Sequence, residues 1–146
     1  GLIGRPQKLS GYEFLPLLQI QDTFVATHQY LENQHQLFPS EPLQHTATFM
    51  LLDEQNITSQ SVNTMLHEHQ MQLGHILEVR SMDLLIQFAQ VGLGIACVIK
   101  EFVQNDLDKE ILVEAPLGLT FPSREIGFVC KKGSENQKLL TQLAEI

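Results

Sequence analysis

The chain has 146 residues, 43% hydrophobic and 18% charged, with a formal net charge of −8. That length fits one domain with a sizeable core, and the composition is that of an ordinary globular protein. No apolar run reaches the ~18 residues that span a bilayer, residues 1–11 lack a signal-peptide pattern, and the longest basic run is Lys131-Lys132, which argues against membrane and secreted classes and against a surface that grips nucleic acid, and leaves the cytoplasm as the expected location.

In chain order, Gly1-Leu2-Ile3-Gly4 reads as the end of a buried strand, followed by a polar turn from Arg5 to Gly11. Tyr12–Leu18 alternates as a strand, with Pro16 favouring an edge position. A second strand is expected at Asp22–Thr27. From Gln29 to Thr48 the pattern is weak and rich in Gln, His and Pro, with one short helix expected near Pro42–Thr46. Phe49-Met50-Leu51-Leu52 is a short apolar run suited to a strand covered on both faces. Asp53–Asn56 is a loop, and Thr58 or Ser59 can cap a helix reaching about Gln70, with Val62, Met65 and Leu66 on one face and Leu73-Gly74 ending it.

His75–Val79 alternates as a strand. Ser81 is a good N-cap for the next helix, with Asp83 in the first turn, where the helix dipole favours a carboxylate. Leu84, Leu85, Phe88 and Ala89 form its apolar stripe, and Gly92 stops it. Gly94–Ile99 is a buried strand. Glu101–Lys109 has helical spacing at Phe102, Val103 and Leu107. Ile111–Val113 and Arg124–Lys131 are further strands, and Ser134 can cap a final amphipathic helix. Strands alternating with helices predict an α/β fold with a mainly parallel sheet flanked by helices.

Several chemistries find little support. Cys97 and Cys130 lie in apolar strand-like runs and read as buried thiols rather than a disulfide scaffold. His67 and His69 are two residues apart on a helix and point about 200° away from each other, so no metal and no cofactor are expected. There is no Gly-x-Ser-x-Gly elbow and no pairing of nucleophile with base, so no catalytic residue is assigned.

The ordered series of elements resembles the effector-binding domain of LysR-type transcriptional regulators. Glu78–Val103 carries a strand, a small polar cap, a helix, a Gly-x-Gly-Ile turn into a strand and a short helix. Ile111-Leu112-Val113 and Ile126-Gly127-Phe128-Val129 follow in step, and Leu15-Pro16-Leu17 with Asp22–Ala26 precede in step. The resemblance implies a periplasmic-binding-protein-like (type 2) architecture of two α/β subdomains joined by hinge strands. It places residues 12–132 in the second subdomain with its hinge strands and residues 1–11 and 133–146 as remnants of the first, a truncated domain without the family's N-terminal DNA-binding part.

It also implies a small-molecule effector, held by Thr58, Ser59 and Ser81, with Met82 as an apolar wall and Thr23 as a hinge contact. Hydroxyls beside the N–H groups of a first helical turn suit a carboxylate or another small anion. Against this stands the plainer reading of Thr58, Ser59 and Ser81 as helix caps, each worth ~1 kcal/mol. Family members dimerise side by side, which makes Phe102 and Val103 candidate interface residues for a homodimer or higher oligomer; packing on their own sheet is the alternative. DNA would be reached only through the missing domain, and no membrane partner is implied. The rival functions are a periplasmic-type solute-binding domain, a small α/β enzyme and an interaction fragment without a ligand.

Overall fold

The computed structural model describes residues 2–4, 12–53 and 57–131. Two compact units emerge, Gly1–Ile20 with Ser123–Ile146, and Gln21–Pro122. In the first, β1 (Leu2–Gly4) runs antiparallel to β7 (Ser123–Lys131), with Leu2 opposite Phe128 and Gly4 opposite Ile126. The polar turn expected at Arg5–Gly11 and the helix expected from Ser134 lie outside the described residues.

The long strand β2 (Tyr12–Ala26) corrects the expectation of two strands. Gln19-Ile20-Gln21 carries the polar–apolar alternation straight through, and Ile20 is only 1% exposed. No Gly, Asn or Asp-Gly signal breaks the chain there, so a strand period continues unopposed.

In the second unit, β3 (Thr48–Leu52), β4 (His75–Val79) and β5 (Ile95–Ile99) run parallel, with β3 between the other two. The end of β2 pairs antiparallel with β5, Asp22 opposite Ile99 and Val25 opposite Ala96. The short β6 (Val113–Glu114) is antiparallel to the last residues of β2. Among the described residues β3 pairs parallel with β4 and β5, while the β1–β7, β2–β5 and β2–β6 pairs are antiparallel. β4 is the outer strand on its side, and its first four residues are exposed, including Ile76 and Leu77.

Helices cover both faces of this sheet. On one face, Phe24, Phe49, Leu51 and Cys97 pack with Val62, Met65 and Leu66 of α3 (Ile57–Glu68). The Phe24 and Phe49 rings meet edge to face at 5.6 Å, a favoured aromatic geometry. On the other face, Val25, Met50, Leu52 and Val98 pack with Leu85 and Ala89 of α4 (Met82–Gln90). Val103 joins that second core and is fully buried. Alternate residues of one strand feed the two cores, which is the period-2 geometry of a strand sandwiched between helices.

The Gln/His-rich stretch holds a helix that its weak pattern hid, α1 (His28–Leu37), and then α2 (Leu43–Thr46) as expected. No α1 residue is fully buried; Thr27 caps it by accepting from the Tyr30 N–H, and Tyr30 Oη accepts from the Thr48 N–H at 2.9 Å, fixing α1 to the start of β3. The expected helix over Glu101–Lys109 is a 3-10 turn, Lys100–Val103, continued by α5 (Gln104–Asp108).

Helix ends are set by backbone geometry. α3 stops at Gln70, in the left-handed region at φ 53°, with Met71 N–H donating to Leu66 O and Gln70 N–H to His67 O. This is a Schellman closure with a non-glycine residue. Gly74, expected as the stop, instead lies against the His45 backbone, where a Cβ would not fit. Gly92 does close α4, at φ 81°, with the same pair of hydrogen bonds from Gly92 and Leu93.

Phe49 is fully buried beside Phe24. Phe49→Ala is expected to lower the unfolding free energy by about 3–5 kcal/mol, whereas Leu77→Ala on the exposed edge should change it by under ~1 kcal/mol. Urea unfolding followed by circular dichroism checks the contrast.

Candidate functional site

β3 and β4 end together: Leu52 is opposite Val79 in the parallel register, and the Asp53 N–H donates to Val79 O at 3.1 Å one residue beyond. Both chains then turn into helices at the same rim. The antiparallel β2 brings Asp22 and Thr23 beside Ile99 and Val98 at that rim as well. In open α/β sheets this carboxyl-end rim is where ligands bind.

The best-defined element is the start of α4. Ser81 has extended backbone (φ −137°, ψ 151°), and its Oγ accepts from the Leu84 N–H at 3.2 Å while its carbonyl accepts from the Leu85 N–H at 3.1 Å. Ser81 is therefore the N-cap expected from sequence, half-buried, with its hydroxyl proton left to donate. Met82 is half-buried and packs against the α4 core. Arg80 and Asp83 are exposed. Among the described residues no ion pair joins Arg80 to Asp83 or Glu78. The first-turn N–H groups of any helix lack intrahelical acceptors and carry a partial positive charge, so this turn is suited to an anion.

At the neighbouring turn the outcome is different. α3 begins at Ile57, so Thr58 and Ser59 lie inside its first turn and do not cap it. Ser59 is 4% exposed, too enclosed to meet a ligand from solvent without rearrangement. The Thr58 side chain lies outside the described residues.

Thr23 is 7% exposed, and its Oγ1 donates to Glu114 Oε2 at 2.8 Å. Glu114 Oε1 is in turn 3.0 Å from Lys100 Nζ. The Thr23 proton is thus committed to a carboxylate of its own chain, which disfavours the role of effector donor. The Thr23 hydrogen bond, with the Lys100 ammonium as a second cause, holds the Glu114 carboxyl below its ordinary value against the opposing effect of burial. This cluster joins β2, β6 and the start of the 3-10 turn, and it was invisible in sequence because Thr23 and Glu114 are 91 residues apart. Nearby, the Gln21 N–H donates to Glu101 Oε2 at 3.1 Å.

Of the interface candidates, Phe102 is 50% exposed and Val103 is fully buried. Val103 belongs to the core between sheet and α4, so its side chain is unavailable to a partner. Among the described residues no group of three or more His, Cys, Asp or Glu is placed to hold a metal ion, and no helix is long and apolar enough to cross a membrane.

An α/β ligand-binding unit with helix N-termini at one rim defines the class. The chain belongs to the LysR substrate-binding domain family, whose description matches residues 1–146, the whole length. Domains of this family sense small-molecule effectors, and the match leaves none of these residues for a DNA-binding domain.

Solved structures agree in fold. The bromide-bound regulatory domain of HypT from Salmonella typhimurium is 13% identical with a TM-score of 0.77, over 99% of this chain and 69% of that one. The CcmR regulatory domain of Synechocystis PCC6803 in complex with 2-PG is 13% identical with a TM-score of 0.68, over 99% and 72%. A variant of the OxyR2 regulatory domain from Vibrio vulnificus is 19% identical with a TM-score of 0.67, over 99% and 68%. Among curated protein sequences there is no match.

A lowered folded-state pKa means that the Thr23–Glu114 link supports the fold at neutral pH and is lost as pH falls through that value. In carboxyl NMR, Glu114 should titrate below the ordinary 4.5 in the wild type. In Thr23→Val its midpoint should move up; an unmoved midpoint would show that the hydrogen bond is not the main cause.

Proposed function

We propose that this chain senses a small anionic effector at the first turn of α4, with Ser81 as hydroxyl donor, the Met82 side chain as apolar wall and Arg80 as an outer counter-charge. The observation that carries this reading is the Ser81 cap at the rim where β3 and β4 end in register. The bromide ion bound in the HypT relative supports the anionic class by analogy of fold. Thr58 stays a candidate second contact from α3. Ser59 and Thr23 are secondary, given their burial.

The role is regulatory rather than catalytic, in line with the regulatory domains that share the fold. Effector binding acts by favouring one of two conformations, which requires different affinity for the two. The regulator works in the cytoplasm as a homodimer or higher oligomer, with Phe102 on an interface and DNA contacted by a separate winged helix-turn-helix domain. The net charge of −8 fits a domain that leaves DNA contact to another part of the protein.

The test separates capping from ligand binding. Asp caps as well as Ser, so Ser81→Asp should retain stability while its carboxylate repels an anion. Amide NMR shifts of Met82–Leu84 are followed during titration with a panel of small carboxylates, phosphates and bromide. We expect at least one anion to shift these amides in the wild type and to bind about tenfold or more weakly to Ser81→Asp, the direction set by like-charge repulsion. Absence of shifts at these amides with every anion, or equal affinity in Ser81→Asp, would overturn the assignment.

A further inference from the structure

The chain passes between the two units at Ile20–Gln21 and at Pro122–Ser123. Gln21 is the first residue of the second unit, and it makes two long-range hydrogen bonds inside that unit. Its backbone N–H donates to Glu101 Oε2 at 3.1 Å, across 80 residues of sequence. Its side-chain Nε2 donates to Phe121 O at 2.6 Å, across 100 residues. One residue thus joins β2, the 3-10 turn and the segment that leads into β7.

Each bond meets a need set by the backbone. The pairing of β2 with β5 ends at Asp22 opposite Ile99, because the chain turns into the 3-10 helix at Lys100. A carboxylate oxygen from that turn then serves the Gln21 N–H in place of a strand carbonyl. Phe121 is 4% exposed, and its ring packs on Phe24 at 5.6 Å. It belongs to no strand, and a backbone group there that is shut off from water requires another partner. The Gln21 side chain supplies it. Chemistry fixes which amide atom does so, since a carbonyl only accepts and Nε2 only donates.

We infer that Gln21 is a conformational clamp: its backbone N–H and its side-chain amide together tie the two chain passages to each other and to the 3-10 turn, so that a disturbance entering along one passage reaches the other. The coupling comes from shared ordering cost. The Phe121 bond immobilises the Gln21 side chain and the backbone that carries it. The Glu101 bond fixes that same backbone, so each bond forms with part of the entropy of the other already lost. Thr23, two residues further into the unit, is bonded to Glu114 at 2.8 Å and anchors β2 behind the clamp. The clamp shares no residue with the Ser81 turn, so either assignment can fail without the other.

The experiment measures NMR hydrogen exchange on the intact 146-residue chain, with saturation transfer from water for the side-chain amide protons. Each variant removes one bond, and the other bond is read. Gln21→Met leaves the backbone N–H and Glu101 in place, yet the N–H at position 21 is expected to exchange about fivefold faster, the size of one net hydrogen bond. Glu101→Met leaves the Phe121 bond in place, yet the Gln21 Nε2 protons should exchange faster by about the same factor. Glu101→Gln keeps an accepting oxygen and should stay near the wild type. Amides of Phe49–Leu52 should be unchanged throughout. Glu101 is exposed, so its two variants decide the matter should Gln21→Met not fold. The proposal is overturned if the bond that is read stays unmoved in the folded variants, since the two bonds would then be independent. It is equally overturned if Glu101→Gln loosens Nε2 as much as Glu101→Met does, or if faster exchange spreads to Phe49–Leu52, which marks general destabilisation.

Discussion

The parallel pairing of β3 with β4 and β5 is the constraint on which the second unit depends. Parallel strands cannot be joined by a tight turn; each crossover must travel back over a face, and here α3 and α4 do so on opposite faces. Once Leu52 is opposite Val79, both helices must start at one rim. The site is a consequence of strand register, and the two cores fix that register. A slip of one residue would turn Phe49 and Leu51 out of the α3 core and exchange them with Met50 and Leu52 of the α4 core.

The elements that could be read from sequence are those whose apolar pattern is strong. Phe49–Leu52, the Val62–Met65–Leu66 stripe, the Ser81 cap and the Gly92 stop all announce themselves locally. The misread elements lacked such a signal. α1 buries no residue completely, so it shows no deep apolar stripe; its clues were the Thr27 cap and the absence of Gly and Pro from His28 to Leu37. β2 runs through the polar Gln19 and Gln21 as one strand, with Ile20 between them buried. Gln70 ends α3 in a conformation usually given to Gly, which diverted the expected stop to Gly74.

The candidate site was legible only where its chemistry is local. A cap is a contact between residues three apart, so Ser81 could be found from the chain alone. The fate of Thr23 depends on Glu114, and that of Val103 on a core shared by sheet and α4; neither neighbour is visible along the sequence. The same locality bears on charge. A chain of net charge −8 repels anions at long range, but that field is screened within a Debye length of about 8 Å at physiological salt, whereas first-turn N–H groups act at contact. An acidic domain can therefore hold an anion at one helix end.

Three of the six histidines sit where helix electrostatics favours them. The enrichment in Gln and His, tempting as a metal pattern, places His35, His45 and His67 in the last turns of α1, α2 and α3. The C-terminal end of a helix carries partial negative charge and favours a donor or cation there. His69 continues the theme just past α3, its Nδ1 lying 3.0 Å from Met65 O. The effect is slight for the four-residue α2 and greater for the twelve-residue α3. α3 and α4 begin at the rim where β3 and β4 end; His45 and His75 lie beside the opposite ends of those strands. Residues that look like metal ligands in one dimension thus fall at helix ends in three, away from the rim where α3 and α4 begin.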